Sequence, residues 1–440
     1  MSSSPTVIPR AGHNVSRADI ADNALKVLYR LHNAGFKAHL VGGCVRDLLL
    51  SRHPKDFDVA TDANPEQIKQ LFDNCRLIGR RFRLAHILFG RDVVEVATFR
   101  GQSGLEDEEN GDRLNTESGM ILRDNVYGSI EEDVWRRDFT MNALYYDIAD
   151  FSLIDYVNGM QDLRKRVIRL IGEPEQRYRE DPVRMLRALR FAARLEFKID
   201  PQTAAPIHDM GELLNHIPSA RLFDEVLKLF HGGAARRTFD LLEQYGLLRY
   251  LFPATAECLE SASFPFARSL LENVLDNTDQ RIHSGRSVTP AFLYAAFLWL
   301  PLLRRLKFKP GGSLPNVIEI QKAASHVLQR QVQSTAVPRR FTTVIREIWA
   351  LQPRLQRYTG DRALGLLKHP RLRAAYDFLC LRGHSGEAVK ERAEWWTELQ
   401  QLSPAEQNRM ADDLAQHQKP ARRNRRSPRL RTRRSGVKSE

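Results

Sequence analysis

A chain of 440 residues exceeds what one hydrophobic core supports, so two or more domains are expected. Its 42% apolar and 28% charged residues fit a globular protein and exclude a fibrous or wholly disordered one. The net charge of +13 is uneven: Lys419 to Glu440 holds ten Lys/Arg against one acid, so nine of the thirteen positive charges sit in the last 22 residues.

That tail has too few apolar side chains to bury a core and is expected to be disordered, gripping nucleic acid through its charge. The longest apolar run, Ala291 to Leu303, has 13 residues broken by Pro301, which suits a buried helix and is too short to span a bilayer. Met1-Ser2-Ser3-Ser4-Pro5 lacks the apolar stretch of a secretion signal, so no membrane insertion and a cytosolic (cytoplasmic) location are expected. Cys44, Cys75, Cys258 and Cys380 lie far apart, which argues against a zinc or disulfide framework and for buried, reduced thiols.

In chain order, Ser16 and Asp19 form a capping-box pattern that predicts a helix through about Ala34, with Ala24, Leu28 and Leu31 inward. Ala38–Val41 and Phe57–Ala60 read as strands, and Asn64-Pro65 opens a helix containing Ile68 and Leu71. Cys75–Ile78, Arg83–Phe89 and Val93–Phe99 are further strands, the last two joined at Gly90-Arg91-Asp92. Residues 101–119, polar and acidic, read as a mobile loop. From about Asp162 helical periodicity takes over. The expected fold class is α+β, a small sheet with helices followed by an all-α remainder.

The chemistry concentrates where Leu40-Val41 runs into Gly42-Gly43-Cys44-Val45-Arg46-Asp47, followed by Asp56-Phe57-Asp58. The glycines leave backbone N–H groups open to a phosphate, with a helix start behind them. Strand alternation puts Asp56 and Asp58 on one face, where they repel each other unless a divalent cation lies between. The combination reads as a metal-dependent phosphoryl- or nucleotidyl-transfer site. Glu95, alone in an apolar strand, reads either as an edge residue facing water or as a third carboxylate beside the pair. In Arg136-Arg137-Asp138-Phe139-Thr140-Met141-Asn142, Asp138 has the place of a helix N-cap with Asn142 one turn on, and the two arginines suit triphosphate oxygens. Glu180-Asp181-Pro182-Val183-Arg184 begins another helix, with Asp181 as cap. Arg184, Arg187, Arg190 and Arg194 lie opposite its apolar face, as a solvated stripe or, with Asp181, as a reader of a nucleobase edge.

These elements together, over residues 38–200, resemble the class II nucleotidyltransferase superfamily of tRNA nucleotidyltransferases and bacterial poly(A) polymerases. Leu77–Ile87, Ile217–Leu222, His369–Asp377 and the Arg-rich tail resemble the poly(A) polymerase branch. The resemblance implies a nucleotidyltransferase head (1–161), a helical neck that reads the base (162–230), an RNA-binding helical body (231–415) and the basic tail (416–440). It further implies attack of an RNA 3′-hydroxyl on ATP, with two Mg²⁺ ions held by Asp56 and Asp58. Asp138 is the third catalytic acid of the family motif, while strand geometry equally allows Glu95. Gly42, Gly43, Arg46, Arg136, Arg137 and Asn142 would contact the triphosphate side, and Asp181 and Arg184 the adenine edge. RNA decay machinery and an RNA chaperone are the implied partners. A CCA-adding enzyme and a non-catalytic RNA-binding protein are the rival readings. Cys44 stands where a third glycine is expected; its side chain has room to narrow the phosphate loop but is not expected to abolish binding.

The tail carries its own prediction. If about five of its basic residues neutralise phosphates of single-stranded RNA, its contribution to the log–log salt slope is roughly −3.5. Deleting residues 419–440 should weaken RNA binding most at low salt and flatten its salt dependence while nucleotide addition at saturating RNA persists. Titration of both forms across salt checks this, and parallel lines of equal affinity would refute it.

Overall fold

The computed structural model describes residues 4–79, 83–101, 113–115, 121–124, 126–261, 263–356 and 361–417. The tail at 419–440 and most of 101–119 lie outside them. An eight-stranded sheet occupies the N-terminal part in the order β1-β10-β9-β2-β3-β6-β5-β4. Its strands are β1 (Thr6–Ile8), β2 (Ala38–Val41), β3 (Asp58–Thr61), β4 (Cys75–Ile78), β5 (Leu84–Phe89), β6 (Asp92–Thr98), β9 (Leu144–Asp147) and β10 (Leu153–Asp155). Only β3 and β6 pair in parallel, in the register Asp58↔Glu95; the other neighbours in this sheet are antiparallel. A parallel pair needs a crossover, supplied here by helix α3 (Pro65–Leu71), β4 and β5. Asn64 caps α3 reciprocally with Gln67, and the β5–β6 hairpin turns at Gly90 (φ +65°) and Arg91, as the sequence predicts.

Four expectations are corrected. Ser16 caps only a 3₁₀ turn at Arg17–Asp19; helix α1 begins separately at Asp22 and runs to Asn33, because Ile20 and Ala21 adopt extended and non-helical backbone between them. Strand β3 starts at Asp58, so Asp56 lies in the approach to the strand, although Phe57 is buried and both carboxylates remain solvent-facing to different degrees. The helix at the Arg136-Arg137-Asp138 motif precedes it, as α4 (Ile130–Arg136), capped by Ser129 and Glu132; Asp138 leads instead into a 3₁₀ turn at Thr140–Asn142. Within residues 101–119, read as a mobile loop, lies strand β7 (Arg113–Asn115), which pairs with β8 (Ile121–Asp124) just beyond them.

Helices dominate after β10. Residue 161, where the head was expected to end, lies inside α5 (Gly159–Lys165). Then come α6 (Pro174–Glu180) and α7 (Val183–Leu195), flanked by the two-residue strands β11 (Val167–Ile168) and β12 (Lys198–Ile199), which pair in parallel. Among the described residues, thirteen further helices extend from Ser219 to His417. Ala291–Leu303 is buried, as expected, but Leu298 breaks it into two helices, Pro290–Phe297 and Trp299–Arg305. One connected core runs from Val15 to Leu381, and a second cluster around Trp396 closes the C-terminal end. Among the described residues no helix is long and apolar enough to cross a membrane.

Gly159 ties this fold to the site. A Cβ there would come 2.2 Å from the Thr140 carbonyl oxygen, inside the 3₁₀ turn that follows Asp138. Gly159→Ala should therefore cost about 1–3 kcal/mol by overpacking. Chemical denaturation of the variant checks this, and an unchanged midpoint would mean that the contact relaxes freely.

Candidate active site

Strand β2 ends at Val41, and Gly42, whose φ of +81° is relaxed only for glycine, turns the chain directly into helix α2 (Gly43–Leu49). A side chain at Gly42 would point between Arg137 Nη1 and Asp58 Oδ2, each 3.8 Å from where its Cβ would be. Loop backbone, carboxylate and guanidinium thus meet at one point. Cys44 does not narrow this loop: it is buried in the core below, with Sγ 3.2 Å from the Val41 carbonyl oxygen.

Asp58 heads β3 with Val41 on one side and Glu95 on the other. Its carboxyl is pushed up to about 6, first by burial and then by the charge of Glu95; Asp56 adds to the rise and Arg137 opposes it. Glu95 lies at the exposed end of this set, 3.2 Å from His86 Nε2 on β5. Among the described residues no three His, Cys, Asp or Glu side chains gather into a ready-made metal cage.

The arginines divide by role. Arg137 donates through Nε and Nη2 to Asp133 Oδ2 at 3.1 and 2.8 Å and through Nε to the Tyr145 hydroxyl at 2.7 Å, which leaves Nη1 directed at Gly42 and Asp58. Arg136 donates to the Gly101 carbonyl oxygen. Arg46 is buried: Nε and Nη2 donate to Asp47 Oδ1 at 2.9 and 2.7 Å, Nη1 donates to Asn142 Oδ1 at 2.7 Å, and its guanidinium lies 5.0 Å from the centre of the Phe191 ring. Arg46 Nη2 nevertheless lies beside the loop, 3.5 Å from where a Cβ on Gly43 would be.

Asp138 is similarly engaged. Its Oδ1 accepts from the Phe139 amide at 2.8 Å and from Asn142 Nδ2 at 3.1 Å, and its Oδ2 accepts from Arg187 Nε at 2.6 Å. Burial opposes ionisation, but Arg187 and these hydrogen bonds outweigh it and hold the carboxyl at about 2. Arg46, Asn142, Asp138 and Arg187 form one hydrogen-bonded chain joining the glycine loop to α7.

The arginines of α7 are not a solvated stripe. Arg184 is buried and donates to the Arg177 carbonyl oxygen at 2.7 Å and to Glu180 at 3.0 Å. Arg190, 4.8 Å from the Phe191 ring centre, is pushed down to about 10 by burial and by the neighbouring charge of Arg187. Asp181 does not cap α7; it separates α6 from α7, and its Oδ2 accepts from Arg221 Nη2 at 2.8 Å. Arg177, which sequence reasoning missed, donates to the carbonyl oxygens of Arg136 and Arg137 at 2.9 and 2.6 Å and so fixes the motif to α6. Arg221 was missed as well. Arg221 reaches Asp181 from 40 residues away and has no local spacing signal, whereas Arg177 with Glu180, three apart, and Arg137 with Asp133, four apart, do.

Comparison with known proteins fits this arrangement. The family model described as "Poly A polymerase head domain" matches residues 38–169, and "Polymerase A arginine-rich C-terminus" matches 312–431. A third, "Probable RNA and SrmB- binding site of polymerase A", matches 196–259. The chain is 51% identical over 438 residues to "Poly(A) polymerase I" of Escherichia coli, covering 98% of this chain and 94% of that one. It is 34% identical to the "CCA-adding enzyme" of Lactobacillus johnsonii, over 70% of this chain and 69% of the relative. The solved Bacillus stearothermophilus CCA-adding enzyme in complex with CTP superposes with a TM-score of 0.55 at 26% identity, covering 85% of this chain and 80% of that one. Near-complete coverage at about half identity sets the poly(A) polymerases apart from the more distant CCA-adding relatives, and the chain belongs to the poly(A) polymerase family of template-independent nucleotidyltransferases.

Proposed function

We propose that the head joins AMP from ATP to RNA 3′ ends at the point where Gly42, Asp58 and Arg137 meet. The observation that carries this reading is the meeting of Asp58, paired in register with Glu95, with the open backbone of Gly42 and the Arg137 guanidinium. Such a donor set fits Mg²⁺, which binds through one or two carboxylates and completes its shell with water and substrate phosphate rather than in an all-protein cage. Asp56 and Asp58 would hold two such ions, with Glu95 as the third carboxylate. When bound, the metal supplies Lewis acidity toward the RNA 3′-hydroxyl and offsets charge on the triphosphate.

In the reaction the 3′-oxygen bonds to the α-phosphorus of ATP, the bond to pyrophosphate breaks, and the hydroxyl proton leaves to solvent. The chain's part is positioning and electrostatics. The side-chain-free surface at Gly42 lets phosphate oxygens approach the backbone, and Arg137 Nη1 faces them. Asp181, held by Arg221, and Arg184, held by Glu180, lie on the neck and are assigned to the adenine edge. Asp138 is assigned to hold the segment rather than to bind metal, because Arg187, Asn142 and the Phe139 amide donate to its oxygens. The reading places the protein in the cytoplasm, beside RNA decay machinery and an RNA chaperone.

The functional test supplies RNA, Mg²⁺ and each labelled nucleotide to the purified protein. ATP should yield a long homopolymer and exceed the other nucleotides by roughly the 1–3 kcal/mol of one matched hydrogen-bonding pair. Addition of CTP to tRNA ends as efficiently as ATP would replace this reading with CCA addition. In the same assay Glu95→Gln should lose activity by about 10²-fold or more at a melting temperature no lower than that of the unaltered protein, because the repulsion toward Asp58 is relieved. Asp138→Asn should instead melt earlier, because it leaves Arg187 without its anionic partner. The opposite pattern would return the third-carboxylate role to Asp138.

Asp58 also sets a pH dependence. Its folded value of about 6 exceeds the ordinary 3.8, so between these two values the folded state binds more protons than the unfolded one. The metal-free protein therefore loses stability as pH rises through that window. Asp58→Asn should raise the melting temperature above pH 6 while abolishing nucleotide addition. In the unaltered protein, activity at low Mg²⁺ should fall below about pH 6, and added Mg²⁺ should move the fall to lower pH. A pH profile indifferent to Mg²⁺ would contradict the ligand assignment.

A further inference from the structure

Neighbouring strands lie about 4.8 Å apart, and residues paired in register carry their side chains on the same face. The registers Arg76↔His86, His86↔Glu95 and Glu95↔Asp58 therefore draw one polar row across β4, β5, β6 and β3. It ends at the carboxyl beside the glycine loop. The residues that alternate with it, Ala85, Ile87, Val94 and Val96, are buried on the opposite face. The row thus lies along the open face of the sheet. His86 comes from Leu77–Ile87, a stretch that resembles the poly(A) polymerase branch and holds none of the residues assigned above.

Glu95 needs support to stay in that row. Its long, flexible side chain is 48% exposed and is repelled by the Asp58 carboxylate in register with it. Left alone, such a side chain swings out to solvent. The residues flanking it on the same face are Val93 and Ala97 along β6 and Leu84 and Leu88 along β5. None of these four offers a hydrogen-bonding side chain. His86 does: its Nε2 lies 3.2 Å from Glu95 Oε1. The approach is short enough for a hydrogen bond though not aligned as one, and the buried Nε2 makes no other among the described residues. Unlike lysine or arginine, an imidazole donates an N–H without a permanent positive charge. It orients the acid without standing in for a cation.

We infer that His86 is a positioning residue for the AMP-adding reaction, holding Glu95 toward Asp58 so that the two acids meet a divalent cation together. The inference rests on the reading of Glu95 as the third carboxylate. It gives Leu77–Ile87 a part in metal affinity and none in the choice of base. Mn²⁺ binding to the metal-free full chain, without RNA or nucleotide, is measured by titration calorimetry. The proteins compared are the unaltered chain, His86→Leu, which keeps bulk in the sheet but lacks a donor, His86→Gln, which keeps an N–H donor, and Glu95→Gln.

Removing a partner that orients a metal-binding carboxylate should weaken Mn²⁺ binding about 10-fold in His86→Leu. His86→Gln should recover most of that loss. In the AMP-addition assay His86→Leu should need about 10-fold more Mg²⁺ for half-maximal rate. Its KM for RNA and its preference for ATP over CTP should stay unchanged. Equal Mn²⁺ affinity in His86→Leu and the unaltered protein overturns the inference. So does a His86→Gln protein as weak as His86→Leu, which would leave His86 a packing role alone. A raised KM for RNA with Mn²⁺ affinity intact also overturns it, and would give His86 to the RNA. If Glu95→Gln binds Mn²⁺ like the unaltered protein, the third-carboxylate reading itself fails; if Glu95→Gln is weakened and His86→Leu is not, only the positioning role falls.

Discussion

Like charges brought together at the edge of a low-dielectric interior organise this head. Asp58 and Glu95 face each other across a parallel strand pair, and the repulsion between them is written into the raised Asp58 carboxyl. Parallel pairing obliges the chain to leave β3, pass through α3, β4 and β5, and return, and that crossover is what carries Glu95 to its place. Arg137 answers the same charge from the other side of the glycine loop. It is in turn fixed by Asp133 and Tyr145, so the counter-charge arrives in one orientation. The sheet, the crossover and α4 all converge on keeping acids close that would otherwise separate.

The inward arginines follow a related rule. Arg46, Arg187 and Arg190 all lie within 5.5 Å of the centre of the single Phe191 ring, and two of them are tied to Asp47 and Asp138. Three guanidinium groups around one ring are tolerated because the ring face is electron-rich and acids neutralise part of the charge. The arrangement fastens the glycine loop, the Asp138 segment and α7 into one unit. Displacing α7 would therefore disturb the glycine loop through residues far apart in the chain but linked by hydrogen bonds.

Much of this was legible in the sequence, and what was not has a common cause. Gly42-Gly43 after an apolar strand, the Asp56/Asp58 pair, the capped α3 and the β5–β6 hairpin depend on local spacing, and the chain declares local spacing directly. The partners of Asp138, Arg46, Arg184 and Asp181 depend on register and helix docking, which no short segment encodes. Residue type predicted that these groups carry charge, but not whether they face a substrate or one another. The stripe on α7 shows the ambiguity: helical periodicity placed its arginines on one face, and only the burial of that face against α6 and the head separates a solvated surface from an internal clamp. The early break in α1 is of the other kind, a cap signal that was real but closed one 3₁₀ turn instead of a long helix.

Cys44 has a consequence that reaches beyond packing. Its side chain turns into the core, where burial pushes the thiol up to about 12, so it remains a protonated thiol at neutral pH. Oxidants and alkylating reagents act on accessible thiolates. The glycine loop thus carries a sulfur that oxidants and alkylating reagents in the surrounding medium do not reach.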